Sequence, residues 1–193
     1  MAPSAPPPRR LTTTTLAAGR FLRLDLLEYR GRDGQPRRWE AAARQRDVGA
    51  VLMIAVLKPS DRLVLIRQYR PPLDGMVLEF PAGLIDAGET AAAAAVRELR
   101  EETGYHGRVT WVGPSSCSSP GMTSESVILA RLEIDEGRLE NRQPAPAPED
   151  SEEIAVCLVE RGRLDALLRA EQQAGTHLDS RLVAYAMGLG LSW

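Results

Sequence analysis

Apolar residues fall along this chain mostly in short runs bounded by turn-forming residues, the pattern of buried strands. Val48–Leu57 is one such run, and Arg62–Tyr69, centred on Leu63, Val64, Leu65 and Ile66, is another, with Lys58-Pro-Ser-Asp as the turn between them. Phe21–Tyr29 and Gln35–Arg44 flank Gly31-Arg-Asp-Gly34 and read as a hairpin. Val77–Ala82, Arg108–Val112, Ser126–Ile134 and Ile154–Val159 read as further strands. Helical patterning is confined to three places: the alanine run after Thr90, a helix starting at Leu164–Arg169, and Ser180–Gly188 with Leu182, Val183, Tyr185 and Ala186 on its packing side. Strands outnumber helices, and the helices are spread through the order. That predicts an α/β fold, a mixed β-sheet covered by helices on both faces.

Three places break the apolar pattern. Residues 1–19 hold Pro3, Pro6, Pro7, Pro8, Arg9, Arg10 and the run Thr12–Thr15, with little to bury, and are expected to form a flexible tail. The tail is free of acids, as targeting peptides are, yet it has weak amphipathic periodicity and no apolar core of a signal peptide. Residues 20–47 then form an N-terminal β-hairpin arm and residues 48–193 the main domain. Second, Glu79 interrupts an apolar strand, where an unpaired carboxylate is costly and a nearby cation or arginine would offset the cost. Arg70 stands at a strand end, before two prolines that stop it. Third, Cys117–Ser124 and the Pro- and Ala-rich acidic stretch Asn141–Glu149 are loops long enough to carry function.

Composition narrows the classes. A hydrophobic content of 44% and a charged content of 26% are ordinary for a globular chain. A formal net charge of −2 lacks the basic surplus of a nucleic-acid binder. Cys117 and Cys157 are too few for a disulfide scaffold, no zinc spacing is present, and no apolar run is long enough to span a bilayer. His106 and His177 are isolated and are given no role.

The chemistry is concentrated in Gly83–Tyr105. Thr90 caps a helix that Gly104 ends. Glu98, Glu101 and Glu102 stand at i, i+3 and i+4, so three carboxylates share one face and repel one another. A hard divalent cation is the simplest neutraliser. Judged by charge alone, an exposed helix whose glutamates pair with Arg97 and Arg100 is the commoner situation. That leaves the glycine loop, Glu89 and the fixed order Arg-Glu-Leu-x-Glu-Glu-x-Gly unexplained. The order resembles the Nudix hydrolase signature at every specified position except Tyr105, where an aliphatic residue is more usual. The resemblance implies an α/β/α sandwich.

Clustered carboxylates recruit Mg²⁺, or Mn²⁺ in its place, and such ions promote hydrolysis of a phosphate or diphosphate, which the resemblance narrows to nucleoside diphosphates linked to another moiety. The resemblance assigns Glu98 and Glu102 as metal ligands, with the carbonyl of Ala82 as another, and Glu101 as a further ligand or a group that tunes the ions from behind the ligands. It makes Glu89 hydrogen-bonded within the loop or in contact with a metal through water, and Arg97 the residue that orients a carboxylate. Arg67-Gln-Tyr-Arg-Pro-Pro and Leu78–Glu89 resemble the ADP-ribose and ADP-sugar pyrophosphatase subfamily, as does Pro120, sixteen residues beyond Gly104. This implies a homodimer formed through the arm, with Trp39 and Phe21 on the nucleobase. It also places Arg44, Arg70, Glu79 and Met122 on the substrate, and Glu152 or Glu153 as the base in a mobile loop. The residues of the arm alone favour a blander role for Phe21 and Trp39, hairpin packing or a dimer contact. The expected activity is hydrolysis of ADP-ribose or another ADP-sugar to AMP and a sugar phosphate. Hydrolysis of UDP-sugars, oxidised nucleotides or dinucleoside polyphosphates, and binding of ADP-ribose without turnover, are the alternatives. The partners expected are thus a nucleoside diphosphate sugar and a second subunit, with no nucleic acid and no membrane. The expected compartment is the cytoplasm, with targeting by the tail left open.

Overall fold

The computed structural model describes residues 6–46, 48–148 and 153–191. The chain divides into two compact units, Met1–Gly49 with Ser115–Val127, and Ala50–Pro114 with Ile128–Trp193.

In the first unit β1 (Arg9–Ala18), β2 (Leu22–Arg30) and β3 (Pro36–Arg44) form an antiparallel sheet in that order. The β2–β3 hairpin is the one expected, closed at Gly31–Gly34 with Gly34 at φ 78°. β1 corrects the expected flexible tail over Arg9–Ala18. Its threonines are β-branched and favour an extended backbone. Thr12 Oγ1 donates to Glu28 at 3.1 Å and Thr15 Oγ1 to Asp25 at 2.8 Å. Every β1 residue is exposed, so no burial pattern marks the strand in the sequence. The arm expected over residues 20–47 is thus two strands of a three-stranded sheet.

The second unit opens with β4 (Ala50–Lys58), β5 (Arg62–Arg70), β6 (Gly75–Glu79), β7 (Ala82–Leu84) and α1 (Ala91–Thr103). After β8 (Gly107–Cys117) and β9 (Ser126–Asp135) come α2 (Leu139–Arg142), β10 (Ile154–Glu160), α3 (Leu164–Gln173), β11 (His177–Leu178) and α4 (Ser180–Gly188). Among the described residues the sheet runs β11-β6-β5-β4-β9-β8, with β10 also on β5 and β7 also on β4. It is mixed: β11 is parallel to β6, while β5 is antiparallel to β4, β6 and β10.

Strand alternation sends side chains to two faces. On one, Val51, Met53, Ala55 and Leu57 of β4, Val64 of β5 and Ala130, Leu132 and Ile134 of β9 pack with Ala94, Ala95 and Leu99 of α1. Tyr105 joins this core, which accounts for the aromatic at a usually aliphatic position. On the other face Arg67 of β5 reaches Glu171 of α3. Phe80 also meets Tyr185 of α4 edge-on, with ring centroids 5.4 Å apart. The α/β/α sandwich expected from the sequence is the observed fold. No helix among the described residues is long and apolar enough to cross a membrane.

Thr90 caps α1 as expected, accepting from Ala93 N at 3.2 Å. Gly104 ends the helix at φ 75°, and a Cβ there would run into the backbone of Pro144 and Ala145. Gly104→Ala is therefore expected to destabilise the fold by more than about 1 kcal/mol, read as a lower urea midpoint at unchanged slope.

Candidate active site

The loop between β7 and α1 closes around one arginine. Arg97 donates from Nε and Nη2 to Glu89 at 3.1 and 2.9 Å, and from Nη2 to the carbonyl of Leu84 at 2.9 Å. From Nη1 it donates to Glu98 at 2.8 Å and to Glu101 at 3.1 Å. A guanidinium has five N–H donors, and all are engaged. Arg97 is held further above its ordinary ionisation range, first by Glu89 and then by Glu98 and Glu101, against the opposing effect of burial. Glu89 is held below the usual carboxylate range, first by the Arg97 hydrogen bonds. It also accepts from Asp86 N at 3.2 Å, so it ties the loop into its own turn.

Glu98 and Glu102 face the strand. Glu102 is 2% exposed and accepts from Ala82 N at 3.1 Å. The carboxyl of Glu98 lies where a Cβ on Gly83 would sit. The two carboxylates thus flank residues Ala82 and Gly83, and β7 holds them on β4 through the pairs Leu52–Ala82 and Val51–Gly83. Among the described residues no group of three His, Cys, Asp or Glu side chains stands together as a metal cage. Mg²⁺ does not require one, since it binds through one or two carboxylates and keeps waters and substrate phosphates for the rest. An all-oxygen donor set on a backbone with room for no side chain fits such an ion.

The Arg70–Glu79 pair answers the question posed by the buried glutamate. Glu79 is 5% exposed, and Arg70 Nε donates to its Oε1 at 2.8 Å. Burial raises the Glu79 carboxyl above its usual range, and the Arg70 hydrogen bond opposes this. Ala147 N donates to the carbonyl of Glu101 at 2.8 Å, fastening the Pro-rich loop to α1. Of the two expected bases, Glu153 is exposed just before β10, and Glu152 lies outside the described residues.

The other expected substrate residues lie in the first unit. Trp39 is 50% exposed on β3, and its Nε1 donates to the carbonyl of Gly121 at 3.0 Å. Met122 is exposed on the same loop, and its carbonyl accepts from Ala42 N at 2.8 Å. Arg44 donates to Oε1 of Glu125 through Nε at 2.9 Å and Nη2 at 2.5 Å. Glu125 is the residue that sequence reasoning missed, an acid in a polar loop with nothing to mark it as the partner of Arg44. Phe21 is exposed, with the Arg20 guanidinium 5.0 Å from its ring centroid. Trp39 pairs with Leu27, and Phe21 precedes Leu22, so the two aromatics stand about six strand positions apart, roughly 20 Å. Within one chain they do not stand together.

A mixed sheet that seats a glycine loop and a carboxylate-bearing helix in this way is the Nudix arrangement. Residues 47–179 match the NUDIX domain, and the chain belongs to the Nudix hydrolase family. Among its relatives, the ADP-ribose pyrophosphatase of Saccharomyces cerevisiae is 37% identical over 180 residues, covering 88% of this chain and 77% of the relative. The ADP-sugar pyrophosphatase of Mus musculus is 34% identical over 198 residues, covering 96% and 88%. The crystal structure of an ADP compounds hydrolase shares the fold, with a TM-score of 0.68 at 24% identity over 87% of this chain and 86% of that one.

Because the folded Glu89 carboxyl sits below its unfolded value, its contribution to stability is complete above about pH 4.3 and is lost as pH falls through the folded value. The gap in melting temperature between wild type and Glu89→Gln is expected to be widest near neutrality and to narrow below about pH 4.3. A gap that stays constant through the acid range contradicts the ionic role.

Proposed function

We propose that this protein hydrolyses the diphosphate of ADP-ribose and related ADP-sugars, with a divalent cation, Mg²⁺ or Mn²⁺, as cofactor. The observation that carries this reading is the placement of the Glu98 and Glu102 carboxylates against Gly83 and Ala82 of β7. The relatives named for ADP-ribose and ADP-sugars support the choice of substrate.

Glu98, Glu102 and the carbonyl of Ala82 are the groups that would hold the cation, with Glu101 and Glu89 as further ligands. Once bound, a divalent ion supplies positive charge to the diphosphate and lowers the pKa of a water. The chain's own groups prepare that site. Arg97 holds Glu89, Glu98 and Glu101 in place against their mutual repulsion. Gly83 leaves the space that the Glu98 carboxyl fills. Glu152 or Glu153 takes the proton of the attacking water as its oxygen bonds to phosphorus and the bridging P–O bond breaks. AMP and ribose 5-phosphate leave.

Trp39, Phe21, Arg44, Met122, Arg70 and Glu79 are the proposed substrate contacts. The separation of Phe21 from Trp39 supports a homodimer, since a nucleobase clamp that uses both aromatics draws one from each of two copies.

Incubation of the protein with ADP-ribose and Mg²⁺ is expected to release AMP and ribose 5-phosphate. Glu98→Gln and Glu102→Gln are each expected to lose more than about 100-fold in kcat/KM, the upper end of what loss of a ligand's supporting partner costs. Turnover of a different diphosphate with none of ADP-ribose overturns the substrate, and normal activity in both variants overturns the metal ligands.

A further inference from the structure

Gln68 is 6% exposed on β5, and its Oε1 is the buried side-chain acceptor without a hydrogen-bond partner among the described residues. A folded chain rarely leaves such a group unpaired, because it forgoes its bonds to water and gains nothing in return. Val64, Gln68 and Arg70 share one face of β5 by strand alternation, and Val64 packs in the core under α1. Gln68 pairs with Val77 on β6 and with Ile154 on β10. Glu79 is two residues beyond Val77, so it is the diagonal neighbour of Gln68 on this face. The orphan acceptor therefore stands beside the Arg70–Glu79 pair.

We propose that the side-chain carbonyl of Gln68 accepts a hydrogen bond from a sugar hydroxyl of the bound substrate. The surroundings are apolar on three sides and polar on one. Ile66, Val77 and Ile154 flank Gln68 along and across the strands, and Ile66 and Val77 are buried. These three side chains offer no polar partner, so the polar contacts open to a group at the Gln68 carbonyl are those of Arg70 and Glu79. A hydroxyl comes already attached to its ligand and needs only the one acceptor. Arg70 and Glu79 beside it add a donor and a carboxylate, the mixture that reads a polyol. The proposal rests on the substrate reading above in one respect, that the ligand carries a sugar.

The test compares wild type with Gln68→Met and Gln68→Leu, both apolar and of similar length. Ligand-free melting temperatures are expected to match wild type or exceed it, since the orphan acceptor is gone. Calorimetry with ADP-ribose in EDTA is expected to show about tenfold weaker binding. With Mg²⁺, KM is expected to rise by a similar factor while kcat changes little. Inhibition by inorganic pyrophosphate, which has phosphates and no hydroxyl, is expected to stay as in wild type. Unchanged ADP-ribose affinity in both variants overturns the proposal and leaves the substrate reading intact, as does an equal loss for pyrophosphate. A wild type that neither binds nor cleaves ADP-ribose overturns the substrate reading and this proposal together.

Discussion

The repulsion among carboxylates on α1 is the constraint that the loop and helix are built to manage. Glu98, Glu101 and Glu102 crowd one face of the last turns of the helix, where the helix dipole is already negative. Arg97, in the same helix, answers with all five donors, spread over Glu89, Glu98, Glu101 and the carbonyl of Leu84. A lysine carries the same charge but lacks the planar fork that reaches four groups at once. The cluster thus holds together through a residue of its own helix, and Glu89 extends that hold into the loop. Glu98, so held, and Glu102 are aimed at adjacent residues of β7.

The aim depends on packing far from the carboxylates. Ala94, Ala95 and Leu99 are fully buried against β4 and β9, which fixes the rotation of α1 about its axis. Small alanines let the helix approach the sheet closely. Glu98, one turn on from Ala94, and Glu102, a further turn on, then meet β7, and Gly83 is the position where that approach leaves no room for a Cβ. The core and the site are consequences of one helix placement, so a core substitution that rotates α1 would misplace both carboxylates.

Local chemistry made this part legible in the sequence. Thr90, Gly104, the alanine run and the glutamate spacing each act within a few residues, and the suspicion attached to Glu79 proved sound because burial of a charge demands a partner. Features that depend on register were not legible. β1 carries no apolar alternation, since its threonines are held by side-chain bonds to acids on β2. Phe21 and Trp39 look paired along the chain, yet the β2–β3 register puts Phe21 at the open end of the hairpin and Trp39 in its middle. Glu125 pairs with Arg44 across 81 residues of sequence. Gln68 looks like any polar residue near a strand end until its neighbours are known.

Two arginine–glutamate pairs on β5 show how the same chemistry serves different ends. Arg67 points to the α3 face and engages Glu171 through Nε at 2.8 Å and through Nη2, both on one oxygen. That pair is closed: it fastens a helix to the sheet, and Glu171 is held below the usual carboxylate range chiefly by the Arg67 hydrogen bonds. Three residues on and on the opposite face, Arg70 gives Glu79 only its Nε among the described residues. Its terminal nitrogens stay at a partly exposed strand end, while Glu79 is raised by burial that the single bond does not overcome. The difference between the pairs is geometric completeness. Among the described residues, Arg67 gives Glu171 two donors on one oxygen, and Arg70 gives Glu79 one beside the unpaired Gln68 carbonyl.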